Sequence, residues 1–262
     1  MEPLSYRRGW VAVGCLFFLS AMSAGAELLA SEDFEYGGDA VAPMNGGDGW
    51  AGPWKQPDGD SDATLDLREG DLDPMAGSGS GHHVSPHGHG HFRLLSNEAA
   101  GRIARESKTN GEIWISFTAR QTTGTWGSVT LWNSGCDDLA DKTENYSVVI
   151  GRNPFDGGNW SWSDITSVGV AATAAVPTRT AVRYVMRLDY GEGSTEASMF
   201  LFTDKSQVKE TIGDCDPAGK AAARIQDKSG NRPVFDRIRI SGSGDMVMDS
   251  IRIGTGLTDV IK

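Results

Sequence analysis

Apolar and polar residues alternate along short stretches of this chain instead of recurring every three or four positions. The clearest stretch is Glu112-Ile113-Trp114-Ile115-Ser116-Phe117-Thr118-Ala119, rich in β-branched and aromatic residues. A period of two marks a strand with one face turned inward. The pattern returns over Gly127 to Trp132, Tyr146 to Gly151, Val182 to Asp189, Ala197 to Phe202, Phe235 to Ile240 and Met246 to Ile253. Between these lie Asp156-Gly157-Gly158-Asn159, Gly191-Glu192-Gly193 and Ser241-Gly242-Ser243-Gly244-Asp245, residue types that turn a chain because they tolerate positive φ or bond their own backbone. Many short strands without a long helical period predict an all-β fold, an antiparallel two-sheet sandwich or jelly roll. Only Asp216 to Gln226 (DPAGKAAARIQ) has the composition of a short helix, with a loop as its alternative.

The last two strands both carry Ile-Arg-Ile, at Ile238-Arg239-Ile240 and Ile251-Arg252-Ile253, separated by Ser-Gly-Ser-Gly-Asp. Residues two apart in a strand share a face, so the pattern predicts a hairpin with buried isoleucines and solvated arginines. No composition shift divides residues 27–262 into two cores, which predicts a single domain.

The first 26 residues read differently. Arg7 and Arg8 precede a mostly apolar run from Gly9 to Met22, and Ala24-Gly25-Ala26 follows. The run is too short to span a bilayer as a helix, and the small-x-small triplet is a cleavage pattern. Residues 1–26 therefore read as a signal peptide, with the mature chain starting at Glu27. A lipoprotein-type box at Ala12-Val13-Gly14-Cys15 and a twin-arginine signal at Arg7-Arg8 are the alternatives. With no second apolar run of spanning length, the mature chain is expected without an integral membrane segment, secreted or held in the periplasm or at the cell surface. In an oxidising compartment the two remaining cysteines, Cys136 and Cys215, suggest one disulfide between Asp-flanked loops, against the alternative of two separate thiols.

The chain has 24 Lys+Arg against 35 Asp+Glu, a net charge of −11, and 39% hydrophobic residues. That apolar content argues against disorder. The acidic balance without a Lys/Arg cluster argues against nucleic acid as a partner and against attachment to anionic lipid.

The order of landmarks resembles secreted bacterial proteins with a concanavalin A-like lectin/glucanase (LamG-like) jelly roll. Those landmarks are Glu32-Asp33-Phe34-Glu35-Tyr36, then Gly46-Gly47-Asp48-Gly49-Trp50-Ala51-Gly52-Pro53-Trp54, then Gly111 to Phe117, and finally Asp249-Ser250-Ile251-Arg252-Ile253-Gly254-Thr255 closing on Thr258-Asp259-Val260. The resemblance implies two packed antiparallel sheets, concanavalin A-like, over 27–262. It implies little about activity, since one fold hosts many functions.

Three local patterns carry candidate chemistry. Asp58, Asp60, Asp62, Asp66 and Glu69 stand at positions 1, 3, 5, 9 and 12 of an acidic loop (58–73), with Thr64 where a backbone carbonyl would serve. Hard oxygen donors at this spacing suit Ca²⁺. Ala63 stands where the sharp turn of such a loop uses glycine, and the alternative is a solvated acidic loop leading into a strand. All five histidines, His82, His83, His87, His89 and His91, fall in a His/Gly-rich stretch (77–91) that reads as a surface loop, with transition-metal chelation as the alternative. Trp160, Trp162 and Trp126 are candidate sugar-stacking planes, with packing on a sheet as the bland alternative; Trp114 reads as core, and Trp50 and Trp54 as packing a sandwich edge.

No catalytic signature stands out. There is no strand with Glu-x-Asp-x-Glu, no Gly-x-Ser-x-Gly elbow and no His-Glu-x-x-His. The reading these residues favour is an exported non-catalytic domain binding polysaccharide or glycoconjugate, with calcium assisting. A structural or adhesive envelope protein, and a polysaccharide-degrading hydrolase or lyase with an unrecognised site, are the alternatives.

Overall fold

The computed structural model describes residues 25–36, 44–56, 62–72, 81–121, 126–133, 146–152, 160–163, 172–174, 179–204, 206–208, 221–227, 234–243 and 246–261. In chain order the strands are β1 (Leu28–Glu32), β2 (Thr64–Glu69), β3 (His82–Leu94), β4 (Glu112–Gln121), β5 (Gly127–Trp132), β6 (Tyr146–Arg152), β7 (Trp160–Ser163), β8 (Ala172–Ala174), β9 (Val182–Gly191), β10 (Ser194–Phe202), β11 (Ala223–Asp227), β12 (Arg237–Ser243) and β13 (Met246–Gly254). Helices α1 (Asn97–Thr109) and α2 (Leu257–Val260) flank them.

Hydrogen bonding runs continuously in the order β11-β10-β9-β4-β13-β3-β12-β5-β6-β7-β8, with β1 on β13 and β2 on β3, and every pair is antiparallel. The path folds into two layers at its middle. β12 and β13 do not form the expected hairpin: both are antiparallel to β3, with Ser243 opposite His87 and Met248 opposite Val84. They therefore lie end to end along the same edge of β3, and they share no ladder among the described residues. β12 pairs onward with β5 and β13 with β4, so the two strands lead from one layer to the other, as strands at the corners of packed sheets do.

The core lies between the layers. Ile113, Ile115 and Phe117 of β4 and Met186 and Leu188 of β9 form one cluster with Val129, Leu131, Ile150, Ile238 and Ile240 from the second layer. Phe117 stacks on Tyr184 at 5.0 Å. At the far ends, β8 and β11 approach within 8 Å Cα to Cα, so the two layers nearly meet again there. The all-β, two-sheet antiparallel sandwich expected from the alternation is what the chain forms.

Two local expectations are corrected. The stretch expected to be helical ends in a strand, because Ala223–Asp227 pairs with β10; residues 216–220 lie outside the described residues. The long helix is α1. Ser96 caps it by accepting from Ala99 N–H at 3.2 Å, Arg102 pairs with Glu106 one turn on at 2.7 Å, and Asn110 ends it in the left-handed region at φ 58°. Each is a recognised start, support or stop device. Ile103, fully buried, anchors α1 to the core. The second correction concerns the His/Gly-rich stretch: from His82 onward it is not a loop but the longest strand, paired to β2, β12 and β13.

The outer face of the first layer is partly closed. Trp114, Val185, Phe200, Phe202 and Val208 form a second apolar cluster beneath Val260 of α2. Trp114 is buried, as expected, but in this outer cluster and not between the sheets. Trp54 packs in the main core, with Trp50 half-buried against it.

Candidate functional site

The outer face of the second layer carries a different chemistry. Ladder partners share a face, so the register defines its rows. One row runs Lys55, Phe92, Arg239, Thr130, Val149, Ser163. The next runs Leu94, Arg237, Trp132, Tyr146, and a third runs Ser241, Ser128, Gly151, Ser161, Thr173. The intervening positions are Ile238, Ile240, Val129, Leu131 and Ile150, which point to the core.

The Ile-Arg-Ile alternation thus separates faces as expected, but Arg239 is buried, not solvated, as is its neighbour Arg237. Arg252 is half-buried in a pair with Asp33 at 2.9 Å. The Arg239 guanidinium lies 4.8 Å above the Trp132 ring, and that of Arg237 lies 5.7 Å from Phe92. Arg237 Nε also donates to Asp236 Oδ1 at 3.1 Å. A guanidinium is weakly hydrated and planar, so it loses little by leaving water to lie on an aromatic face. Trp132, Phe92, Thr130, Ser128 and Ser241 are buried with the two arginines, and Lys55 is the exposed member of the row.

A second polar group sits on the outer face of the first layer. Asp249, Thr118 and Arg183 are ladder partners in one row, and all three are buried. The Asp249 carboxylate accepts Leu72 N–H at 3.1 Å and Ser250 N–H at 2.7 Å. Arg183 donates to the Ser250 carbonyl at 2.9 Å, and Ser250 adopts φ 51° inside a register shift of β13. Nearby, His83 Nδ1–H donates to the Gly70 carbonyl at 2.5 Å, and burial holds that imidazole below its ordinary pKa.

Burial pushes Asp249 up to about 7, against the two amides, which favour the ionised form. A carboxyl raised in the folded state keeps its proton where the unfolded chain has already lost it. Stability attributable to this group is therefore full below about pH 4, falls between about pH 4 and 7, and is flat above. Asp249→Asn is expected to abolish that component. Denaturant midpoints of both proteins across pH 3 to 8 should diverge only in this window.

The residues singled out from the sequence are dispersed. Asp62 is an exposed turn residue, Asp66 is half-buried and Glu69 exposed. The last two belong to β2 and, three positions apart in an extended strand, project from opposite faces. Asp58 and Asp60 lie outside the described residues, as do Cys136 and Cys215. His83 and His91 are buried and His87 is exposed. Among the described residues no group of three His, Cys, Asp or Glu side chains converges on one point. Trp126 is half-buried at the start of β5. Trp160 and Trp162 are on β7, their side chains outside what the structure describes; the register pairs Trp162 with the core residue Ile150 and puts Ser161 and Ser163 in the outer rows.

Lys55, Phe92, Arg237 and Asp249 were not legible as site residues. For the arginines a signal existed, the Ile-Arg-Ile alternation. What they face depends on β3 and β5, far away in sequence.

Fold and face together define a two-layer β-sandwich with a cationic and aromatic outer surface on one layer. No family model matches the chain, and no curated protein matches it. Among solved structures it is similar to an endo-1,3-β-glucanase from Streptomyces sioyaensis, at 11% identity and TM-score 0.35 over 88% of this chain and 96% of that one. It is also similar to winged bean acidic lectin complexed with methyl-α-D-galactose (8%, TM-score 0.37, 87% and 98%) and to the Caenorhabditis elegans galectin LEC-6 (11%, TM-score 0.32, 55% and 83%). Likeness this partial carries no functional argument.

Proposed function

We propose that this chain is an exported, non-catalytic domain that binds carbohydrate through the outer face of its second layer. The observation that carries the proposal is the outer row that ends in exposed Lys55, above a buried layer in which Arg239 lies on Trp132 and Arg237 near Phe92. Sugars present apolar C–H faces that stack on aromatic planes and hydroxyls that bond to fixed donors; half-buried Trp126 is the proposed plane and Lys55 the proposed donor. Export follows from the N-terminal pattern of Arg7-Arg8, the apolar run and Ala24-Gly25-Ala26. Calcium taken by the acidic stretch Asp58, Asp60, Asp62, Asp66 and Glu69 belongs to the same proposal as an accessory.

Affinity electrophoresis of the native chain through a panel of soluble polysaccharides, with calcium and with chelator, tests it. Retardation by at least one glycan is expected, weakened about tenfold, or roughly 1.4 kcal/mol, in Trp126→Ala, with its fold checked by circular dichroism. Loss of retardation in chelator would assign a role to the acidic loop. Depletion of the glycan during the run, abolished by Asp249→Asn, would make the protein an enzyme instead.

A further inference from the structure

We infer that the chain carries a self-modification site at Asn45-Gly46, where the fold promotes closure of the asparagine side chain onto the next backbone nitrogen and its hydrolysis to an acid. The inference stands apart from carbohydrate binding. The dipeptide lies between β1 and β2, with Asn45 exposed to water and Met44 before it buried. Gly46 carries no side chain beside the attacking nitrogen, so the approach to it is open. To this the fold adds a donor on the electrophile and an acceptor on the nucleophile.

Arg93 Nη2 donates to Asn45 Oδ1 at 3.2 Å and to the Gly46 carbonyl at 2.7 Å. A guanidinium fixed on the amide oxygen stabilises the negative charge that grows there when the carbon is attacked. Gly46 N–H donates to Tyr36 Oη at 3.3 Å, and Tyr36 O–H donates to Glu32 Oε2 at 2.5 Å. Burial and the neighbouring Glu32 charge push the Tyr36 pKa up. The phenol therefore stays protonated, ready to take one proton while passing on another. Glu32 is held in place by Arg93, by Trp54 Nε1–H and by Phe34 N–H. The Gly46 nitrogen bonds to Cγ of Asn45 as its proton moves to Oη and the phenol proton to Oε2. The Cγ–Nδ2 bond then breaks, and Nδ2 takes up that proton and leaves as ammonia. Water opens the resulting succinimide on either side, giving aspartate or isoaspartate at position 45. In the aspartate product a carboxylate replaces the amide opposite Arg93, which then serves two acids.

The same dipeptide recurs at Asn110-Gly111, where Gly111 N–H donates to the Glu106 carbonyl at 2.9 Å behind α1. A carbonyl holds that N–H but has no proton of its own to pass on, so this position is an internal control. The test incubates the full chain at neutral pH and follows both positions by peptide mapping with isoaspartate detection. Conversion at position 45 is expected to run about tenfold faster in the folded chain than in guanidinium chloride. Position 110 should run slower folded than unfolded. Tyr36→Phe, with its fold checked by circular dichroism, should slow position 45 several-fold and leave position 110 unchanged; a merely loosened loop would speed position 45 instead. A folded-state rate at position 45 no higher than the unfolded one overturns the inference, whether or not the variant folds. So does a folded Tyr36→Phe that reacts as fast as the parent chain.

Discussion

Replacing Glu32 with alanine is expected to lower stability by about 3–5 kcal/mol, the range for removing one partner of a buried ion pair. Glu32 pairs with Arg93, and both side chains are at most 2% exposed. Tyr36 O–H donates to Glu32 Oε2 at 2.5 Å, Trp54 Nε1–H to the same oxygen at 3.3 Å, and Phe34 N–H to Oε1 at 2.8 Å. Arg93 in turn donates to the carbonyls of Gly52 and Gly46, at 2.8 and 2.7 Å, and lies 4.9 Å over Trp50. Alanine would leave the guanidinium with a buried, uncompensated charge and three donors without their acceptor.

The pair also joins the layers. Glu32 is the ladder partner of Ile251 in the first layer and Arg93 that of Ile238 in the second, and both isoleucines point to the core. The double change Glu32→Leu with Arg93→Met should cost far less than the single one, because no charge is then stranded. Guanidinium-chloride midpoints at constant slope would show this. Equal losses in single and double variants would mean that packing, not charge, holds the seam.

The second large effect is expected at Gly90, in β3. Its φ is +78°, and a Cβ placed there would collide with the Ile240 carbonyl of β12. Both the backbone region and the space exclude a side chain. Gly90→Ala should therefore destabilise by more than about 3 kcal/mol, at the top of the range for a strained backbone position. Gly193, in the β9–β10 turn, is the control: its φ is +73° with nothing within 4 Å. Gly193→Ala carries the conformational penalty alone, about 1 kcal/mol. Thermal unfolding of the two variants separates strain from collision, and similar losses would show that the close β3–β12 approach is not decisive.

The strands that could be read from the sequence are those whose alternation is undisturbed: β4, β5, β6, β9, β10, β12 and β13. β3 escaped because its period is interrupted by Gly88 and Gly90 at positive φ, and because histidines at His83 and His91 occupy buried positions that normally announce themselves as Val or Ile. The hairpin between β12 and β13 was a wrong inference from right residues. Ser-Gly-Ser-Gly-Asp can turn a chain, but it equally lets two strands run end to end, and only the register against His87 and Val84 decides between the two. α1 has its own sequence signals, from Ser96 through the Arg102–Glu106 pair to Asn110, but they are local and sparse beside the strand alternation around them.

Less of the candidate site could be read. Alternation revealed that Arg239 lies opposite its flanking isoleucines. It could not reveal that Trp132 would lie beneath it, because that contact joins residues about a hundred positions apart. The acidic and histidine-rich runs drew attention through density of chemistry-bearing residues. The rows on the second layer are made instead by spacing across strands, which local sequence does not display.

The position of β12 and β13 sets an order of events. These two strands lie in the middle of the hydrogen-bonded path, flanked by β4, β3 and β5, yet in the chain they follow every other strand. A polypeptide emerging from its N-terminal end holds the edges of β3, β4 and β5 open until these strands arrive, and unpaired edges are where strands of different molecules join. Both layers are completed by these same two strands. Neither sheet is then an independent folding unit, and the protein gains its two halves together.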